Sequence, residues 1–278
     1  LNTKRLDRLL GELFRNLLLF LILILTIFPL VWMVINSFKK RADIFAGPFW
    51  PKKFILDNYR FVLENLHIGN YFLNTALVTA VSILLILMFS TMAGYSFAKI
   101  KFPGRNIIFL ALIASLTIPP QVTLIPLFLM LKEMSLLDSL TGLILSYTGL
   151  SMAFSIFLMR AFFMTIPDVL RESAIIDGAS EFTAFWKIIL PLAKPGIATV
   201  TIFQFVTIWN EFMYAATFIL SSEKRTLQPA IRSLVGRYST DWGALCASMF
   251  LAVIPILITF LILQKQFIKG LTAGAIKG

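Results

Sequence analysis

Residues 171–196 read RESAIIDGASEFTAFWKIILPLAKPG. This stretch lies between two long apolar runs, where a plain helix–helix connection needs only a handful of residues. It instead carries acids, a glycine and two prolines. Thr165 is placed to cap a helix, with Asp168 three residues on returning the bond, and Pro167 sits in the first turn, where its missing donor costs little. The helix is predicted to run to about Asp177 and to stop at Gly178, which takes a left-handed cap without a Cβ clash. Ser180 caps a second helix. Phe182, Phe185, Trp186 and Ile189 then recur at i, i+3, i+4 and i+7, an apolar stripe that would lie on the ends of neighbouring spans. Pro191 ends or kinks that helix and Pro195 precedes the next span.

Outward from this stretch, the chain reads as a membrane protein. Apolar residues make up 58% of its 278 positions and charged ones only 14%, far too few to clothe a soluble domain of this size. Six runs approach the roughly 20 residues needed to cross a bilayer: Leu17–Ile35, Phe72–Phe97, Ile107–Leu131, Leu140–Met164, Ile197–Leu220 and Trp242–Leu263. Each is expected to be a helix, because a span in lipid must satisfy its own backbone, and the alternating short strands of a barrel do not occur. The basic start before Leu17 resembles a signal peptide, but the apolar run exceeds a signal core and no small-x-small site follows. It is therefore read as a retained span. The expected fold is all-α with six transmembrane helices: a segment 1–16, a membrane domain 17–268 that includes the loop 165–196, and a tail 269–278.

Six spans put both termini and the 165–196 loop on one side. Arg15, Lys99, Lys101, Arg105, Arg160, Lys265 and Lys269 crowd the span ends there, which makes that side cytoplasmic, although Lys39, Lys40, Arg41, Lys224 and Arg225 fall opposite. The net charge of +11 suits anionic lipid headgroups rather than nucleic acid, since the basic residues flank apolar runs. Thr79, Ser82, Ser90, Thr91 and Gly94 on the second span predict close packing against other helices. The pair Pro119–Pro120 predicts a kink in the third, lining a pathway or serving packing. Outside the membrane, Asp57 is placed to cap a short helix reaching Leu66, and Ser221–Asp241 is long enough to dock another protein. Cys246 is the only cysteine and His67 the only histidine, so neither a disulfide nor a metal cluster is expected.

No phosphate loop of the G-x-x-x-x-G-K-[ST] type occurs, so energy for driven transport must come from another chain or an ion gradient. On the predicted first helix of the 165–196 loop, small residues Ser173 and Ala174 stand beside Arg171, Glu172 and Asp177. That suits close approach by a protein, and the helix is too acidic to rest on an anionic membrane.

The spacing Glu172-Ser173-Ala174-x-x-x-Gly178, nine residues, Ile188-x-Leu190-Pro191 resembles the EAA motif of ATP-binding cassette (ABC) importer permeases, departing only at Ser173. The runs LTIPPQVTLIPLF (116–128), DGAS (177–180), WNEF (209–212) and FIKGLTAGAIKG (267–278) are similar to the carbohydrate branch, in particular to the smaller permease of maltose-type importers. The resemblance implies the type I ABC importer permease fold in a bacterial or archaeal cytoplasmic membrane. Its implied partners are a second homologous permease, two ABC ATPase subunits and an extracytoplasmic solute-binding protein, with a carbohydrate as substrate. The chain itself would carry no cofactor and no catalytic residue, ATP and magnesium being held by the ATPases. Glu172, Ser173, Ala174, Asp177, Gly178 and Ala179 would form the helix that couples to the ATPase. The tail, through Lys269, Gly270, Lys277 and Gly278, would reach the same partner.

In the fifth span, Asn210 and Glu211 are expected at membrane depth, where a carboxylate normally faces a cavity or a partner. With Tyr214 they would line the sugar pathway, or else contact the second permease. An ion-coupled secondary transporter is the rival. It needs titratable groups inside the membrane and often an inverted repeat, and Glu211 alone qualifies.

Overall fold

The structure is a computed structural model that describes residues 3–236 and 240–275, with side chains from 10 to 236 and 240 to 270. In chain order its helices are α1 (Thr3–Ser37), α2 (Asp43–Ala46), α3 (Asp57–Glu64), α4 (Ile68–Lys99), α5 (Arg105–Ala114), α6 (Pro120–Glu133), α7 (Leu140–Thr165), α8 (Asp168–Ile176), α9 (Glu181–Ala184), α10 (Leu190–Leu192), α11 (Lys194–Trp209), α12 (Met213–Phe218), α13 (Leu227–Ser233) and α14 (Trp242–Ala275). Among the described residues the only β pairing is an isolated bridge between Val235 and Thr240.

Four helices are long and apolar enough to cross a membrane alone: the Leu10–Ser37 part of α1, α4, α7 and the Trp242–Gly270 part of α14. Two further helix pairs are apolar enough to cross only when taken together, and each is bent at a short break. α5 with its 3-10 extension to Thr117 meets α6 at 102°, and the Glu181–Leu192 helical run meets α11 at 72°. The third span is thus not the continuous helix that its hydropathy suggests. Pro119 and Pro120 follow Ile118 in extended conformation, and a residue before proline is pushed out of the helical region, so Ile118 and Pro119 interrupt the helix. The fifth departs likewise. Its helix ends at Trp209, the chain breaks over Asn210–Phe212, and only the short α12 follows.

The chain forms two compact units. One comprises residues 1–68 with 231–253. In it the segment after α1 folds back on the end of that helix: the Tyr59 hydroxyl lies 2.6 Å from Ser37 Oγ, and Asn58 Nδ2 donates to the carbonyls of Ser37 and Lys39. Lys39 is buried and donates to the Pro48 carbonyl, so this cation is satisfied inside the unit. Asp57 does not cap α3. It is the helix's first residue, Leu56 holds the cap position without a side-chain bond, and the helix ends at Glu64 rather than Leu66. His67 is exposed and left-handed (φ 48°) in the turn into α4, a conformation histidine tolerates better than most residues.

The other unit holds residues 69–230 and 254–278. Its core joins Val78, Ile86 and Tyr95 of α4 to Leu143, Tyr147, Met159 and Phe163 of α7 and to Val200 and Ile208 of α11. The small residues of α4 do pack inward: Thr79, Ser82, Ser90 and Thr91 are buried. At Gly94 a Cβ would lie 2.7 Å from Met159 Cβ, so the backbones of α4 and α7 touch at a point where only glycine fits.

Candidate functional site

The 165–196 stretch folds into α8, a tight turn and a second helical run. α8 closes with a Schellman motif: Gly178 N–H donates to the Ile175 carbonyl and Ala179 N–H to that of Ala174, with Gly178 at φ 86°. Ser180 then caps α9, its hydroxyl accepting from Thr183 N–H at 3.2 Å. Stop and restart both follow the local sequence rules.

Three details do not. The expected capping box is absent, because Thr165 still belongs to the last turn of α7 and its hydroxyl donates to Phe162 O. Asp168 turns to Lys99 Nζ, 2.5 Å away. That ammonium holds the Asp168 carboxyl below the ordinary carboxylate range, by hydrogen bond first and charge second. Second, Ala174 does not face outward. It is buried, while Glu172, Ser173, Asp177 and Gly178 are exposed and Ala179 is half-buried. The outward face is completed by Val169 and Ile176, the latter 85% exposed, so the rim residues flank an apolar stripe at i and i+7 that sequence reasoning passed over. Third, only half of the aromatic stripe packs inward. A π-turn over Phe185–Ile189 aligns Phe185 and Ile189 toward the core and leaves Phe182 and Trp186 exposed.

Behind the turn, Glu181 accepts two bonds from Arg171, Nε to Oε1 at 2.7 Å and Nη2 to Oε2 at 2.8 Å. The Tyr95 hydroxyl donates to the same carboxylate at 2.5 Å. Pairing with Glu181 raises the Arg171 pKa above its already high ordinary value.

A cavity of about 660 Å³ opens beside α7 and α11. Asn210, Glu211 and Tyr214 all line it, together with Pro120 and Gln121 at the head of α6, so the Pro119–Pro120 break lies at this cavity. Tyr147, Ser151, Gln204 and Thr207 add polar groups, and Phe154 and Phe203 add a T-shaped aromatic pair, centroids 5.7 Å apart.

Glu211 is not at the centre of a helix. It lies in the break after α11, and its carboxylate accepts from Tyr147 OH, Tyr214 N–H and Ala215 N–H, so it caps α12. Tyr214 is buried, and its hydroxyl donates to Pro120 O at 2.6 Å and lies 2.8 Å from Thr123 Oγ1. Asn210 is exposed, donates to Val206 O and accepts from Gln228. The buried Gln204, bonded to Ser155 Oγ at 3.0 Å, was missed. An amide side chain among apolar residues and threonines was its only signal.

The tail is not free from residue 269 onward. α14 continues to Ala275, and Gly270 is buried where a Cβ would lie 2.8 Å from Thr199 Oγ1 and 3.1 Å from Phe162 Cζ. Lys269 is exposed. Lys277 and Gly278 lie outside the described residues. Among the described residues no group of histidine, cysteine and carboxylate side chains is placed to hold a metal ion.

Apolar spans broken at a polar cavity, with a capped turn projecting from their ends, define a membrane permease. The chain belongs to the family of binding-protein-dependent transport system inner membrane components, which matches residues 87–272. It is 32% identical over 263 residues to the diacetylchitobiose uptake system permease protein NgcG of Streptomyces coelicolor, covering 94% of this chain and 87% of that one. To the arabinooligosaccharides transport system permease protein AraQ of Bacillus subtilis it is 33% identical over 260 residues, 92% of each chain. A chain from the crystal structure of a bacterial ABC transporter involved in the import of the acidic polysaccharide alginate superposes with a TM-score of 0.84 at 25% identity, over 95% of this chain and 98% of that one. The chain is therefore a multi-pass membrane component of an ABC importer and works with the other components of such a system. An ion-coupled carrier finds no support.

Proposed function

We propose that this chain forms half of the translocation pathway of an ATP-driven importer of sugars or oligosaccharides. A second, homologous permease supplies the other half. Two ATPase subunits, which bind the nucleotide and its magnesium, grip α8. An extracytoplasmic binding protein delivers the sugar, and both termini face the cytoplasm. The observation that carries this reading is the outward face of α8. Val169, Glu172, Ser173 and Ile176 stand exposed on a helix rigidly closed at Gly178, an apolar stripe with a charged rim that suits a protein socket better than water. The cavity supports the sugar class, since amides, hydroxyls and aromatic faces line it together.

The mechanism follows from two states. ATP draws the ATPases together, α8 moves with them, and the spans open the cavity outward to the docked binding protein; hydrolysis resets it. Within the cavity, Glu211 and Tyr214 hold the breaks of the third and fifth spans in register, and Asn210, Gln121 and Gln204 offer groups to the sugar. The test is a Ser173→Cys chain cross-linked in the assembled transporter. The reading requires the ATPase as the product. A turn that stays unreactive toward the ATPase while transport proceeds would refute it.

A further inference from the structure

Coupling needs more than a helix that fits a socket, because the displacement has to reach the spans. α8 continues by backbone into α7 on one side and, through α9 and α10, into α11 on the other. α4 has no such connection: residues 100–139 lie between it and α7. Side chains of α4 reach the turn directly. Tyr95 and Lys99, one helical turn apart on the same face of α4, reach the two flanks of α8: Lys99 its start and Tyr95 the first residue of α9. Lys99 Nζ donates to Ile166 O and Asp168 Oδ1, both at 2.5 Å, where the chain enters α8. Tyr95 donates to Glu181, just past the Gly178 turn, and Arg171 from α8 closes on the same carboxylate through two parallel bonds.

Bidentate arginine–carboxylate pairs fix orientation as well as distance. The ring of Tyr95 packs against Phe163 and Phe185, with centroids at 5.8 and 4.9 Å, which restricts its movement. Three elements, α4, α8 and α9, therefore meet at one carboxylate.

We propose that Glu181 is the joint through which movement of α8 is passed to α4, with Tyr95 and Arg171 as its two arms. The proposal rests on the reading of α8 as the ATPase-gripped helix. In it, Glu181 is a positioning residue and touches neither sugar nor nucleotide. Cutting the joint leaves α8 able to follow the ATPase but lets α4 lag.

The experiment uses the full transporter in nanodiscs, with spin labels at Met92→Cys on α4 and Ile258→Cys on α14, both exposed, and a second label pair across the ATPase dimer. ATP is added under conditions that block hydrolysis. With Glu181 present, ATP should close the ATPases and shift the Met92–Ile258 distance. In Glu181→Ala, and more mildly in Tyr95→Phe, the ATPases should still close while the α4 shift shrinks; in proteoliposomes with hydrolysis permitted, sugar uptake per ATP hydrolysed should fall by about tenfold, the scale of a typical coupling free energy. Glu181→Gln, which keeps an acceptor oxygen for Tyr95 and Arg171, should retain more of both than Glu181→Ala. An unchanged shift in Glu181→Ala overturns the proposal. So does failure of that variant to assemble with the ATPases, which would reduce Glu181 to a folding role. If ATP closure shifts nothing even with Glu181 intact, it is the coupling reading of α8 that falls.

Discussion

The hydroxyl of Tyr147 lies 2.5 Å from Glu211 Oε2, 64 positions along the chain, and ties the middle of α7 to the break that ends α11. The same carboxylate caps α12, so a group that looks like a substrate ligand in sequence is already committed to structure. Glu211→Leu should destabilise the protein by about 1–3 kcal/mol, the cost of leaving its donors unpaired. Glu211→Gln, which keeps one acceptor oxygen, should cost less. Thermal unfolding of the solubilised transporter checks the order.

Gly178 and Gly94 call for opposite tests. At Gly178 nothing lies within 4 Å of an added Cβ, but φ is 86°. Substitution there meets backbone strain of about 1–2 kcal/mol rather than a clash. Gly178→Val, whose β-branched side chain is barred from the left-handed region, should therefore insert in the membrane at normal levels yet lose most sugar uptake, and Gly178→Asn, which tolerates that region, should keep most of it. Uptake assays on membranes of matched content separate these outcomes.

At Gly94 the backbone is ordinary helix and the obstacle is Met159. Gly94→Val should force α4 and α7 apart at a cost of about 1–3 kcal/mol, seen as lower expression and a lower unfolding temperature. Met159→Ala should not relieve the contact, because the atoms in the way are Met159 Cβ, which alanine keeps, and the Arg160 backbone nitrogen at 2.9 Å.

Asp138, in the connection before α7, gives a pH test. Its Oδ1 accepts from the N–H groups of Ser221 and Leu220 and from the Ser221 hydroxyl, and Lys224 stands nearby. These bonds, the backbone ones first, lower its pKa to about 2 from 3.8. A depressed carboxyl contributes stability that is whole above its ordinary pKa and is lost as pH falls toward the lowered one. Amide exchange in segment 219–224 should thus accelerate as pH drops below 3.8 toward about 2, beyond the intrinsic pH effect. In Asp138→Asn this extra dependence should vanish.

Some of this was legible in residue order because its causes act within one or two helical turns. The apolar runs, the stop at Gly178, the cap at Ser180 and the inward small residues of α4 each depend on neighbours no more than a few positions away. The proline pair announced a break in the third span, but its 102° angle required knowing what α6 leans on.

Sequence alone therefore determined that the chain spans a membrane as helices and that a glycine-closed turn projects between the fourth and fifth spans. Tertiary structure alone decided which way Ala174 faces, that Asp168 answers to Lys99 rather than to Thr165, and that Tyr95, Arg171 and Glu181 converge. The physical reason is range. Hydropathy and backbone caps are set by adjacent residues, whereas a side chain's partner is whichever group packing brings within about 3 Å, and packing is a property of the whole fold.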